Sequence, residues 1–350
     1  MNSFDRISSG VIPLLNWYGE NARDLPWRRD ITPYRVWVSE IMLQQTRVAA
    51  VLNYFPRFLS ALPDIRSLAD CPEEQLLKLW QGLGYYSRAR NLQKAAKVIC
   101  TEYNGVFPDS YDAILSLPGI GEYTAGAIAS IAFSQPVPAV DGNVIRVTTR
   151  LLADERDITK PAVKRDIRSL LSEAIPLNSP GTFNQALMEL GALVCLPNGE
   201  PWCEVCPWKI LCLARAEGKT GAIPVRPPKK ARKVENRTVF LILYQHRIAL
   251  RQRPEKGLLA GLWELPNEEG SSLPLDLWHI IPLSLEDGGS GIHIFTHIEW
   301  HMTGMVVRAA DGTLPAGWVW ADARELEDQY PIPNAFSPFR ERIEEELQRE

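Results

Sequence analysis

A chain of 350 residues, 45% of them hydrophobic, exceeds what one hydrophobic core usually organises, so two or more domains are expected. The composition excludes wholesale disorder, no apolar run approaches the roughly 20 residues needed to cross a bilayer, and the first residues lack a secretory pattern. The net charge of −4 divides unevenly, +5 over residues 1–233 and −9 over the remainder, which is compatible with nucleic-acid binding by a local patch. A soluble, intracellular, cytoplasmic protein without a membrane partner is expected.

From about Ser8 to Ala216 apolar residues recur at spacings of three and four, and short Pro/Gly breaks separate the resulting helices. Within this region, Val36-Trp-Val-Ser-Glu-Ile-Met-Leu-Gln-Gln-Thr sets Glu40 against Trp37, Ile41 and Leu43, with Gln44 one turn on. Apolar surroundings raise a carboxyl pKa toward what a general acid needs near neutral pH, although a solvated surface glutamate also fits. Next, Gly82-Leu-Gly-Tyr-Tyr-Ser-Arg-Ala-Arg-Asn places two tyrosines before two arginines in a glycine-punctuated turn. Such a turn suits an aromatic wedge between bases beside phosphate-holding cations, or equally a packed tyrosine with surface arginines.

Leu117-Pro-Gly-Ile-Gly, between two helical patterns, lets backbone N–H groups at a helix start point outward together, where they can grip a phosphate. An ordinary helix–turn–helix connection is the alternative. Asp141, in Ala139-Val-Asp-Gly-Asn-Val, stands just before an apolar-periodic run, as a helix N-cap would, and an N-cap aspartate can also be a catalytic carboxylate. The stripe Phe183, Leu187, Leu190 and Val194 ends at Cys195, which opens a C-x7-C-x2-C-x5-C run with Cys203, Cys206 and Cys212. Thiolates at this spacing can converge on one tetrahedral centre, so a metal or an iron–sulfur cluster is expected in a reducing compartment.

The basic, proline-rich segment beginning at Pro224, with Arg226, Lys229, Lys230, Arg232 and Lys233, reads as an interdomain linker spanning residues 223–236. Beyond it the period shifts toward 2. Thr238–Tyr244 and Arg247–Arg251 read as paired strands, and Ile294, Thr296, Ile298, Trp300 and Met302 as alternate positions of one strand. A final helix carries Phe336, Phe339, Ile343 and Leu347 on one face, making an α+β domain over residues 237–350 behind a helical domain over 1–222.

Seven motifs in order resemble the helix-hairpin-helix glycosylase superfamily and, within it, the MutY-type adenine DNA glycosylases. They are Leu25-Pro-Trp-Arg, Trp37-Val-Ser-Glu-Ile-Met-Leu-Gln-Gln-Thr, Gly82-Leu-Gly-Tyr-Tyr, the hairpin, Val140-Asp-Gly-Asn-Val, Phe183-Asn-Gln-Ala and the cysteine run. The resemblance implies a multidomain architecture: an all-α, two-lobed helix-hairpin-helix domain with an iron–sulfur loop, followed by an α+β Nudix-like domain. It implies a [4Fe–4S] cluster on Cys195, Cys203, Cys206 and Cys212, and a monomer acting on double-stranded DNA with adenine opposite 8-oxoguanine or guanine. Glu40 would protonate the flipped adenine at N7 and Asp141 would stabilise the charge on the sugar, with Tyr123 and Asn143 orienting Asp141 or the attacking water. Arg23, Trp27, Arg28, Leu43, Gln44 and Gln185 would surround the adenine. Gln45 and Tyr85 would intercalate, while Arg88, Gly119 and Gly121 would meet the backbone.

Endonuclease III-type relatives place a lysine where this chain has Tyr123, and tyrosine cannot form the Schiff base that permits strand cleavage, so a monofunctional enzyme is expected. Gly257-Leu-Leu-Ala-Gly-Leu-Trp-Glu-Leu-Pro resembles the start of a Nudix box without its glutamate-rich helix, which excludes a pyrophosphatase reading for want of a multi-metal site. Phe295-Thr296-His297 is similar to the Phe-Ser-His motif with which the family detects 8-oxoguanine. Two departures stand out: seven residues rather than six in the first cysteine gap, and threonine in place of serine at 296. The rivals are an endonuclease III-like lyase and a catalytically silent DNA-binding module with structural zinc.

Overall fold

The structure, a computed structural model, describes residues 1–228 and 231–349; Lys229 and Lys230 of the expected linker lie outside the described residues. The chain divides into two compact units, Met1–Asp70 with Asn91–Lys229, and Cys71–Arg90 with Lys230–Glu350. Residues 71–90 thus group with the C-terminal sheet rather than with the helices that flank them in sequence.

The first unit is helical because its apolar spacing gives each helix one face to bury. Ile7, Val11 and Leu14 on Ser3–Asn21, Val144, Val147 and Leu151 on Gly142–Leu152, Val163, Ile167 and Leu171 on Pro161–Ala174, and Phe183, Leu187 and Leu190 on Pro180–Leu193 meet in one core. Caps fix where these helices begin: Asn2 and Asp5 form a reciprocal capping box, and Thr32 accepts from the Arg35 N–H ahead of Pro33. The helix Glu122–Phe133 lies against Pro180–Leu193 at backbone distance. A Cβ on Gly181 would stand 2.7 Å from the Ser130 carbonyl oxygen, so only glycine allows the approach.

Asn184, fully buried, carries the polar burden of this junction. Its Oδ1 accepts from the Ala139 N–H at 3.0 Å, and its Nδ2 donates to the Val137 carbonyl at 2.9 Å and to Ser130 Oγ at 2.8 Å. These bonds pin residues 137–139, two positions before Asp141.

The second unit is built on a seven-stranded sheet among the described residues. Its strands are β1 (Lys233–Tyr244), β2 (Arg247–Gln252), β3 (Trp263–Glu264), β4 (Asn267–Glu269), β5 (Pro282–Ile294), β6 (Ile298–Ala309) and β7 (Trp318–Ala321). The order is β3-β2-β1-β6-β5, with β4 paired to β1 and β7 to β2; β1 and β6 run parallel, and the β1–β2 hairpin pairs Leu243 with Ile248. Phe336, Phe339, Ile343 and Leu347 cover one face of the sheet, and Leu275 and Ile280 the other.

Two readings of local structure change. The alternating run through Ile294 and Met302 is not one strand: residues 295–297 form a turn closed by the Phe295 N–H to the Ile298 carbonyl, 2.8 Å, and Ile294 pairs with Glu299 across it. A tight turn preserves the alternation of faces, so sequence parity alone cannot reveal it. The final helix is split into a 3₁₀ turn, Asn334–Phe339, and an α-helix, Arg340–Gln348, because Pro338 lacks the N–H a continuous helix would use.

Replacing Asn184 by leucine keeps the volume and orphans the Ala139 N–H and the Val137 carbonyl. The expected loss is roughly 2–5 kcal/mol of unfolding free energy. Denaturant titration measures it, and a loss below about 1 kcal/mol would remove Asn184 from its role as the tie.

Candidate active site

The helix Pro33–Leu43 is apolar nearly all round, with Val36, Trp37, Val38, Ile41 and Met42 buried, and Glu40 is carried inside with them at 7% exposure. Its carboxyl opens onto a cavity of about 600 Å³, a size that suits a base-sized ligand. Asp141 enters the same cavity as the N-cap of Gly142–Leu152, its Oδ1 accepting from the Val144 N–H at 2.8 Å. Trp27, Arg28, Leu43, Gln44, Gln45, Gly121, Tyr123, Asn143, Gln185 and Arg23 line the cavity as well. One cavity therefore gathers residues drawn from five separated stretches of sequence.

The two carboxyls are held differently. Burial pushes Glu40 up to about 7, against the Tyr123 hydroxyl that donates to its Oε2 at 2.6 Å, and the charge of Asp141 adds to the rise. Tyr123, expected beside Asp141 or the water, is thus bonded to Glu40, and its own phenol is raised well above its ordinary value by burial and then by both carboxylates. Asp141 is also raised by burial, but the Val144 N–H and the Asn143 side chain, whose Nδ2 donates to Oδ2 at 2.8 Å, pull it back toward the anion. The arrangement can supply a proton from one side and a negative charge on the other.

Sequence reasoning missed the groups that hold these residues in place. Glu189, 1% exposed, accepts from Arg23 Nε at 2.7 Å, Arg23 Nη2 at 2.9 Å and Arg28 Nη2 at 2.8 Å. Burial alone would raise its pKa, yet the two guanidiniums hold it down to about 2. Arg146 donates from Nη2 to Asn143 Oδ1 at 2.8 Å and from Nε to the Cys195 carbonyl at 2.8 Å. Tyr18 donates to Gln185 Oε1 at 3.1 Å. The signal available was Glu189 as the one charged residue of the helix Pro180–Leu193, since a charge in a mostly buried helix must be paired.

Gly119 stands in the hairpin with φ +77, and a Cβ there would meet Asn91 Cβ at 2.5 Å; Gly121 N-caps Glu122–Phe133 with open space around it.

In the second unit a cleft of about 640 Å³ is lined by Tyr85, Phe295, Thr296 and His297, with 3.0 Å between Tyr85 Oη and Thr296 Oγ1. Arg88 is buried: its Nη2 donates to the Leu83 and Gly84 carbonyls, each at 3.0 Å, and its guanidinium lies against the Trp80 and Tyr85 rings. That guanidinium ties the turn together.

Cys195, Cys203, Cys206 and Cys212 line one cavity beneath the core of the helical unit, and Trp208 anchors their loop through its Nε1 bond to the Gly10 carbonyl, 2.8 Å. Among the described residues no three of these or other His, Cys, Asp or Glu side chains close into a coordinating group. The donor set nonetheless fits a thiolate-bound centre. Burial, then mutual repulsion among the four sulfurs, raises Cys203 and Cys212 and pushes Cys206 up to about 12, and a bound cation would relieve that strain. Arg150 Nη1 already reaches Cys195 Sγ at 3.3 Å.

Residues 38–173 match the HhH-GPD superfamily of base excision DNA repair proteins, and residues 238–342 match the NUDIX domain. The adenine DNA glycosylase of Rattus norvegicus is 38% identical, the alignment covering 89% of this chain and 73% of that protein. That of Buchnera aphidicola subsp. Acyrthosiphon pisum (strain APS) is 36% identical over 84% of this chain and 85% of its own. Among solved structures, a thermostable thymine-DNA glycosylase superposes with a TM-score of 0.55 at 28% identity, covering 61% of this chain and 98% of its own.

Burial of Glu40 has a consequence for stability. The folded state holds the Glu40 proton up to about pH 7, while an unfolded glutamate releases it near 4.5. Between these values the native state binds more protons, so stability falls as pH rises. Glu40→Gln escapes that loss. Its advantage over the native protein should be absent below about pH 4.5, grow through the interval and level off above about 7 at on the order of 3 kcal/mol. Paired thermal melts across this range measure it, and a pH-independent difference would contradict the raised pKa.

Proposed function

Because the chain belongs to the adenine DNA glycosylase family of helix-hairpin-helix base excision repair proteins, we propose that its cavity hydrolyses the N-glycosidic bond of an adenine paired with 8-oxoguanine or guanine. The protein is an enzyme, it binds DNA, and it acts on adenine mispairs. The observation that carries the finer reading is Glu40, raised to about 7 in the same cavity as Asp141.

Adenine is a poor leaving anion. Glu40 gives its proton to N7 of the extruded base, the C1′–N9 bond breaks, and adenine departs neutral with the bonding electrons. Positive charge develops on the sugar, where Asp141 is the adjacent anion; water then adds at C1′ and loses a proton. Tyr123 fixes the Glu40 carboxyl and Asn143 the Asp141 carboxyl through their hydrogen bonds. With tyrosine rather than lysine at 123 no Schiff base forms, and the product is an abasic site in an unbroken strand.

Tyr85 and the turn Phe295, Thr296 and His297 supply an aromatic wedge and a hydroxyl for reading the oxidised base opposite adenine. Cys195, Cys203, Cys206 and Cys212 would hold a [4Fe–4S] cluster, which when bound supplies a tie across the loop rather than bond-breaking chemistry. Purified protein should contain iron and acid-labile sulfide in equal amounts; zinc in a colourless protein would refute the cluster assignment.

The test is single-turnover cleavage of a duplex with one adenine opposite 8-oxoguanine. Breaks should appear only after alkali, and Glu40→Gln should lower the rate by about a hundredfold or more with DNA affinity kept. Undiminished excision by that variant would end the acid assignment, and breaks without alkali would return the lyase reading. The rate should fall as pH rises through about 7, as Glu40 loses its proton. Thr296→Ala should narrow the preference for 8-oxoguanine over guanine; equal loss on both duplexes would exclude a lesion-reading role.

A further inference from the structure

Gln185 lines the cavity, whereas Tyr18, on the helix Ser3–Asn21, stands behind it and is hydrogen-bonded to the site through Gln185. We propose that Tyr18 is a positioning residue that sets the sense in which the cavity reads a base: by donating to Gln185 Oε1, it leaves only the amide N–H donors facing the ligand. The base must then offer a ring-nitrogen acceptor at that place. This rests on the glycosylase reading above and deepens it, since it names the chemical feature by which the pocket selects adenine.

Direction is the crux, because an amide can be turned over and a phenol can either donate or accept. Arg28 decides it. Its guanidinium carbon lies 5.5 Å from the centre of the Tyr18 ring, and a cation over the face draws electron density from the phenol, making the hydroxyl a stronger donor and a weaker acceptor. Arg28 is itself fixed by Glu189 and by the Arg23 carbonyl, so the charge cannot swing away. Burial also raises the Tyr18 pKa, which keeps the hydroxyl protonated. Among the described residues the Gln185 amide nitrogen has no hydrogen-bonded protein acceptor, so its donors are available to the cavity. An inverted amide would point its oxygen inward and favour a base carrying N–H there.

The experiment compares adenine with 1-deazaadenine and 3-deazaadenine, each opposite 8-oxoguanine, in single-turnover excision. Each analogue replaces one ring nitrogen by C–H and keeps N7. The proteins are the full chain, Tyr18→Phe and Gln185→Leu. Phenylalanine retains the ring under Arg28 and removes only the hydroxyl. The readout is the adenine-to-analogue rate ratio, in which the intrinsic leaving-group difference is common to all three proteins.

For one of the two analogues the native ratio should exceed that of Gln185→Leu by about tenfold, the scale of one hydrogen bond. Tyr18→Phe should carry the ratio most of the way to the Gln185→Leu value. A uniform slowing of all three substrates by Tyr18→Phe, with ratios at the native value, would make Tyr18 a structural residue and overturn the proposal. Equal ratios in native and Gln185→Leu proteins would overturn it too, by showing that no ring nitrogen is read there. Failure of the native protein to release adenine at all would instead bring down the glycosylase reading, and this inference with it.

Discussion

Glu40 and Asp141 share one cavity, and a carboxylate at either position raises the cost of ionising the other. The chain resolves this conflict by giving the two groups different partners. Glu40 is buried on an apolar helix, where the Tyr123 phenol is its one hydrogen-bonding side chain among the described residues, and burial favours the protonated form up to about pH 7. Asp141 sits at a helix N-terminus, where the Val144 N–H and the Asn143 amide favour the anion, as does the positive end of the helix dipole. One carboxyl can therefore carry a proton while its neighbour carries a charge, which is the separation that acid-assisted loss of a neutral base requires.

Holding that separation depends on cations placed in and behind the cavity wall. Arg146 spans from Asn143 to the Cys195 carbonyl and also donates to the Gly191 carbonyl, so the partner of Asp141 is tied to the start of the cysteine loop. Burial lowers the Arg146 pKa, and the neighbouring Cys195 and Asp141 act against that fall. On the other wall Glu189 binds Arg23 and Arg28 with four hydrogen bonds, one of them from the Arg23 backbone. These arginines are consequently pre-aligned, and little of their side-chain entropy remains to be lost when a ligand arrives.

The sequence made legible what local pattern encodes. Helical spacing, the N-cap at Asp141, the glycine hairpin and the cysteine run are features of neighbouring residues, and the structure has helices with the hairpin, the Asp141 cap and the cysteine loop at or between their ends. The turn at residues 295–297 was hidden because alternation survives a hairpin, and the break at Pro338 because its apolar residues keep a common face on either side. Tyr18, Arg146 and Glu189 were hidden for another reason. Each acts on a residue more than 40 positions away, and nothing in a local pattern distinguishes an arginine that reaches a carbonyl from one that faces water.

Strain marks a further division of labour. Gln45 and Tyr85 hold φ of +56° and +48°, in the left-handed region where a side chain costs about 1–2 kcal/mol, and both are exposed. A non-glycine residue stays there only if its surroundings over-determine the backbone. At Tyr85 they do: Gly82 and Gly84 take positive φ on the approach, and Arg88 closes the turn from inside, bonded to two of its carbonyls and stacked on Trp80 and Tyr85. Burial lowers the Arg88 pKa to about 10, which still leaves it charged at neutral pH, so the clamp persists under physiological conditions. A ring held by such a turn is ordered before any ligand arrives, and the cost of ordering it has already been met in folding.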